Sequence, residues 1–123
     1  MKKDNTRDYV ISMFRFYAKQ GQPNRNQIIE NQSELSSAAV SDLIAVDETL
    51  RELSSSGNGR AVLAVKEIYF KNPTKPLSRK EFTERVTHFT LEHYISEDVV
   101  WKSLRKARRL CAEKRNLNIS KFI

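Results

Sequence analysis

The sequence predicts an all-α fold, a small helical domain with a carboxy-terminal helix-turn-helix, and three observations carry that expectation. Only three Gly and three Pro occur in 123 residues, too few for the tight turns of a sandwich or barrel. Apolar residues recur at spacings of three and four in successive stretches, the period of a helix with one buried face. Helix-start signals precede the last two stretches: Ser78 with Glu81 three residues on, and Ser96 with Glu97 and Asp98 in the following turn.

The elements follow in order. The polar start, Met1 to Asn5, reads as frayed, and the first helix runs from about Asn5 or Thr6 to Lys19. Tyr9, Met13 and Phe16 make one apolar stripe, with Val10, Phe14 and Tyr17 beside it, so core packing is expected before a partner surface. Gly21-Gln22-Pro23-Asn24 breaks that helix, and the weakly patterned stretch to Ser37 reads as a polar loop or linker. Residues 1–37 thus divide from a helical domain over 38–123. In that domain, Ala39, Leu43, Val46, Leu50 and Leu53 form a two-heptad seam on a helix from about Ala38 to Leu53. The Ser54–Gly59 run ends it as a helix-helix turn; no strand precedes it and no Lys-Ser/Thr follows, so it is no phosphate loop. A third helix covers about Arg60 to Lys71, with Ala61, Val62, Val65, Ile68 and Tyr69 inward, and stops before Pro73 and Pro76. From Ser78, a helix carries Phe82, Val86, Phe89 and His93 on one side. The last helix runs from Ser96 to about Arg115, with Val100, Leu104, Ala107 and Cys111 inward. The helix-turn-helix occupies about 78–115.

Charge is distributed unevenly. Residues 1–60 hold eight basic and eight acidic side chains, while 61–123 hold fourteen and seven, which accounts for the whole net charge of +7. Within residues 102–115, Lys102, Arg105, Lys106, Arg108, Arg109, Lys114 and Arg115 stand against Glu113 alone. Such asymmetry points to a polyanion, nucleic acid before an acidic membrane surface. A solvated basic face with no partner is the competing account.

A helix-turn-helix needs apolar residues where its helices cross and an outward polar face near the start of the second. Phe89, Ile95, Val100 and Leu104 fit the first need. Ser96, Glu97, Asp98, Trp101, Lys102, Arg105, Lys106 and Arg109 are the candidate DNA-binding residues. Among them, Glu97 and Asp98 suit cytosine amino groups, or serve only the helix dipole, and Lys102 or Arg105 suits guanine.

The stretch Ile95-Ser96-Glu97-Asp98-Val99-Val100-Trp101, with Leu104-Arg105-Lys106-Ala107-Arg108 after it, resembles the second helix of sigma-factor region four. It is closer still to sigma-like phage late-gene activators of the ArpU and RinA type. The seam from Asp42 to Leu53 and the Ile68-Tyr69-Phe70 segment are similar to earlier helices of those regulators, so the resemblance spans about 40–117. It implies promoter DNA binding and transcription regulation, with RNA polymerase contact as a further expectation. Two features depart from the pattern. Tyr94 stands where the family has glycine, and tyrosine suits positive φ poorly, so a longer turn over Thr90 to Ile95 is expected. The helix before it is also longer than the family's two turns.

No enzyme is expected. His88 and His93, five apart, fall on different sides of a helix, and Cys111 is far along the chain, so no metal set, cofactor or nucleophile motif assembles. A lone cysteine and the absence of any run near ~18 apolar residues or a signal peptide point to the cytoplasm, with no membrane partner. The charge-neutral first half suits homodimer formation or polymerase contact and does not decide between them. Other functions stay open: a phage DNA-packaging or recombination accessory, an RNA binder, and a helical protein-interaction adaptor. RNA is disfavoured because Trp101 is the lone aromatic of the last helix.

Overall fold

Residues 5–117 are described by the computed structural model; the first four residues and everything beyond Leu117 lie outside the described residues. Within that span the fold is all-helical: α1 (Asn5–Lys19), α2 (Arg25–Glu30), α3 (Ser37–Ser55), α4 (Gly59–Ala64), α5 (Arg79–His93) and α6 (Glu97–Lys114). A 3₁₀ turn spans Gln32–Glu34, and a π-helical turn over Val65–Tyr69 continues α4 directly. Among the described residues, no helix is long and apolar enough to cross a membrane.

α1 forms as its stripes require, with Val10, Met13, Phe14 and Tyr17 buried and Tyr9 at the margin. The stretch expected as a polar linker instead folds into α2. Its signal was local: the Asn24 side chain accepts from the Gln27 amide while the Gln27 side chain accepts from the Asn24 amide, a complete capping box. One apolar anchor, Ile28, then docks α2 on α3. Asn24 is fixed in turn by Tyr17, whose hydroxyl donates to the Pro23 carbonyl at 2.7 Å.

α3 buries more than its seam. Leu43, Val46 and Leu53 are buried as the heptads require, Ala39 and Leu50 only partly, and Ala45, Asp47 and Thr49 are buried as well. The face is wide because α1, α2, α4 and α6 all pack on this helix. Asp47 Oδ2 lies 3.2 Å from Arg51 Nε, an ion-pair distance without hydrogen-bond alignment.

The third predicted helix divides into α4 and the π turn. That wider turn brings Val65, Ile68, Tyr69 and Phe70 all into the core. A ladder of rings results, in which Phe14 stacks on Tyr69 (centroids 5.6 Å), Tyr69 on Phe82 (5.9 Å), and Phe82 meets Trp101 (5.3 Å). Each such pair adds about 1 kcal/mol beyond its area, and together they join α1, the π turn, α5 and α6.

α5 begins at the expected cap, where Ser78 Oγ accepts from the Glu81 amide at 3.1 Å. The Glu81 carboxylate is engaged elsewhere, by Arg85 at 2.9 Å. The turn into α6 is shorter than the sequence suggested. α5 continues to His93, and Tyr94 itself takes the left-handed conformation, φ 55° and ψ 44°. The amides of Tyr94 and Ile95 both donate to the Thr90 carbonyl, which closes the helix end in the manner that glycine usually serves. With its side chain 94% exposed, Tyr94 gains no packing to offset a strain of ~1–2 kcal/mol. Tyr94→Gly should therefore stabilise the fold by roughly 0.5–1 kcal/mol, after the entropy glycine adds to the unfolded chain is discounted. Urea unfolding checks it; a less stable variant would mean that the ring has a contact in solution.

α6 is central. It packs against α1, α3, α4 and α5, and Val100, Leu104, Ala107, Cys111 and Ala112 are each buried to within 1%. Phe89 is equally buried and Ile95 packs at the edge of the same core.

Candidate nucleic-acid interface

Burying one side of α6 so completely leaves its other side to solvent. Lys102, Arg105, Lys106 and Arg109, at spacings of three, one and three, fall on that outer side and are all exposed. They line an open cleft of about 320 Å³ whose opposite wall is the end of α3, with Glu52, Leu53 and Ser56, and whose floor includes Leu110 and Glu113. The sequence named the four cations but gave no sign of this wall, because α3 ends about fifty residues earlier in the chain.

The seven cations of the last helix divide into two groups. Arg108 donates to the Tyr69 hydroxyl at 3.0 Å. Arg115 Nε is 2.6 Å from Asp42 Oδ1, and the same carboxylate accepts from the Tyr9 hydroxyl at 2.8 Å. Burial and this contact with Asp42 raise the Tyr9 hydroxyl above its ordinary pKa, so tyrosine is the donor. Lys114 reaches Glu52 at 2.6 Å. These three hold α6 to α1, α3 and the π turn. Arg105, Lys106 and Arg109 have no acidic partner among the described residues, and Lys102 has only Asp98, at 3.0 Å with both side chains at least 70% exposed. An ion pair so exposed is worth little and opens readily.

The residues expected at the start of α6 have local roles. Ser96 Oγ accepts from the Val99 amide at 3.2 Å, the N-cap bond. Glu97 accepts from the Trp101 indole at 3.1 Å, and Trp101 itself rests on Phe82, half-buried. All three belong to the junction of α5 with α6. Asp98 stays exposed on the outer face beside Lys102.

Two features bear on chemistry. Cys111 is fully buried, and burial pushes its thiol up to about 12, with a smaller opposing contribution from the Thr49 hydroxyl, so it offers no thiolate at neutral pH. The histidines are joined by a residue that a count of His and Cys overlooks. Glu92 carries one oxygen 3.5 Å from His88 Nε2 and the other 3.5 Å from His93 Nε2. Glu67 also approaches His93, at 3.1 Å.

No protein-family model, no curated protein and no solved structure matches the chain. What the fold and this surface define is a small all-helical protein with one continuous, largely unpaired basic helix face.

Proposed function

We propose that the chain binds duplex DNA through the outer face of α6 and acts as a transcriptional regulator of the sigma-region-four-like kind, with α5 and α6 as its helix-turn-helix. The observation that carries this is the division of charge: structural cations are paired, whereas Arg105, Lys106 and Arg109, with Lys102 beside them, are left for a polyanion. A protein that needed these charges for stability would pair them too. The spread supports the reading. From Lys102 to Arg109 the helix rises about 10 Å at ~1.5 Å per residue, comparable with the ~12 Å width of the major groove. The capped, tight turn before Ser96 gives the reading helix a fixed start, as base readout demands. Asp98 is the candidate acceptor from a cytosine amino group, and Lys102 and Arg105 are candidate donors to guanine. RNA polymerase and a second copy of the chain are candidate partners for the charge-neutral first half.

The test is an anisotropy titration over a salt series with duplex DNA from the protein's own locus, scrambled duplex and single-stranded RNA. Tighter binding to the cognate duplex is expected, with a linear fall in log affinity against log salt. Lys102→Ala and Arg105→Ala should each reduce the preference for the cognate duplex. Equal, weak binding to all three nucleic acids would overturn the regulator and leave a basic surface without readout.

A further inference from the structure

Away from the basic face, three ligand-bearing side chains converge where the π turn meets the last turn of α5. His93 Nε2 is 3.1 Å from Glu67 Oε2 and 3.5 Å from Glu92 Oε1, and the three candidate donor atoms all lie within 4.8 Å of one another. An imidazole nitrogen carries at most one proton, so it can satisfy one of these carboxylates but not both. Among the described residues neither glutamate pairs with lysine or arginine; each faces a histidine. Two carboxylates directed at one nitrogen are therefore under-neutralised, and a cation among them would satisfy all three donors.

We infer that Glu67, Glu92 and His93 form a binding site for a divalent transition-metal ion of the zinc class. The separations suit it. Donor atoms bonded at ~2.0–2.1 Å around a tetrahedral zinc lie about 3.3 Å apart, midway between the 3.1 Å and 3.5 Å that separate His93 Nε2 from the two carboxylates. The donor set suits it as well, since one imidazole with two carboxylates favours zinc, cobalt or nickel over calcium and magnesium, which take oxygen alone. His93 and Glu67 are 30% and 25% exposed, open enough for an ion to enter and for water to complete the coordination. His93 would bind through Nε2 with its proton on Nδ1. His88, on the far oxygen of Glu92, would orient that carboxylate from outside, a role such partners commonly have at metal sites. The ion would join the π turn to the helix end one residue before Tyr94, and so fix the approach of the chain to α6. This site is independent of the DNA-binding proposal, and zinc binding can be measured without any nucleic acid.

The experiment is a calorimetric titration of the full chain with zinc chloride, paralleled by cobalt(II) chloride read by visible absorption. One ion per chain is expected, with tetrahedral cobalt bands and a thermal midpoint that rises with zinc concentration. Glu67→Gln and His93→Gln should each weaken zinc binding by about tenfold or more, with helical circular dichroism confirming that both variants fold. His88→Ala should change affinity less than either. No stoichiometric ion on the parent chain would overturn the inference. So would binding that is lost in His88→Ala but kept in Glu67→Gln, which would place the ion on the surface pair His88–Glu92.

Discussion

Arg15→Ala is expected to lower the stability of the folded chain by about 3 kcal/mol, a large loss for one partly exposed residue. The π turn ends without a glycine cap, and the segment after it contains Pro73 and Pro76, which offer no backbone N–H; the Asn72 carbonyl accepts from the Lys75 amide at 3.1 Å, and its neighbours draw on side-chain donors. Arg15 supplies donors from α1. Its Nη1 donates to the carbonyls of Tyr69 and Lys71, both at 2.8 Å, and its Nη2 to those of Asn72, at 2.9 Å, and Lys75. Arg85 completes the arrangement from α5, with Nη1 on the carbonyls of Ile68 (2.7 Å) and Lys71 (3.0 Å). Charge-assisted bonds to carbonyls are worth ~1.5–3 kcal/mol each in isolation. They are not additive here, since the Lys71 carbonyl is shared and the outer bonds face solvent, so the total is set well below their sum. Arg15→Lys should recover only part of the loss, because an ammonium has no planar fork to span four acceptors. Urea denaturation measures both. A loss under ~1 kcal/mol for Arg15→Ala would mean that water replaces the guanidinium at little cost.

Why that role escaped a reading of the sequence is clear from the separations involved. Arg15 and its carbonyls are 54 to 60 residues apart, and an arginine on an amphipathic helix ordinarily signals only the polar side. The four longer helices were legible because each shows a helical period, the stripe of Val10, Phe14 and Tyr17 in α1 and the Leu43–Val46–Leu53 seam in α3 among them, and α5 and α6 add the capping serines at 78 and 96. α2 was not, since six residues with one buried side chain are too few to show a period, although its Asn24–Gln27 cap was in view. Nothing in Val65–Tyr69 distinguishes a π turn from an α turn, and the ring of Tyr69 stacks between Phe14 and Phe82, partners that its local sequence does not reveal. Tyr94 misled for a physical reason. Positive φ disfavours tyrosine locally, but the burial of Phe89, Val100 and Leu104 on either side outweighs a strain of ~1–2 kcal/mol. The basic face itself was plain from spacing. Its division into paired and unpaired cations was not, because Asp42, Glu52 and Tyr69 reach α6 from other helices.

That division yields the largest expected effect on binding. Replacing Arg105, Lys106 and Arg109 together by alanine should weaken duplex DNA binding by about a hundredfold at moderate salt. It should also reduce the slope of log affinity against log salt by about 2, one each for the phosphate contacts of Lys106 and Arg109, while the loss of Arg105 shows chiefly in the preference for the cognate duplex. Stability should hardly change, because these side chains are exposed and make no ion pair among the described residues. Arg108→Ala and Arg115→Ala should behave in the opposite way. Arg115 is 2.6 Å from Asp42, whose side chain is only 15% exposed, so its removal leaves a largely buried carboxylate with the Tyr9 hydroxyl as its remaining partner. A cost of roughly 1–2 kcal/mol in unfolding follows, with the salt slope intact. The two sets therefore separate contact from folding within one helix, and each serves as the control for the other. If Arg108→Ala and Arg115→Ala lowered the slope as much as the triple variant, the internal pairs would have to open in the complex, and the outer face of α6 would lose its claim to be the interface. If only the triple variant lowers it, phosphate contact belongs to the same residues that the fold leaves unpaired.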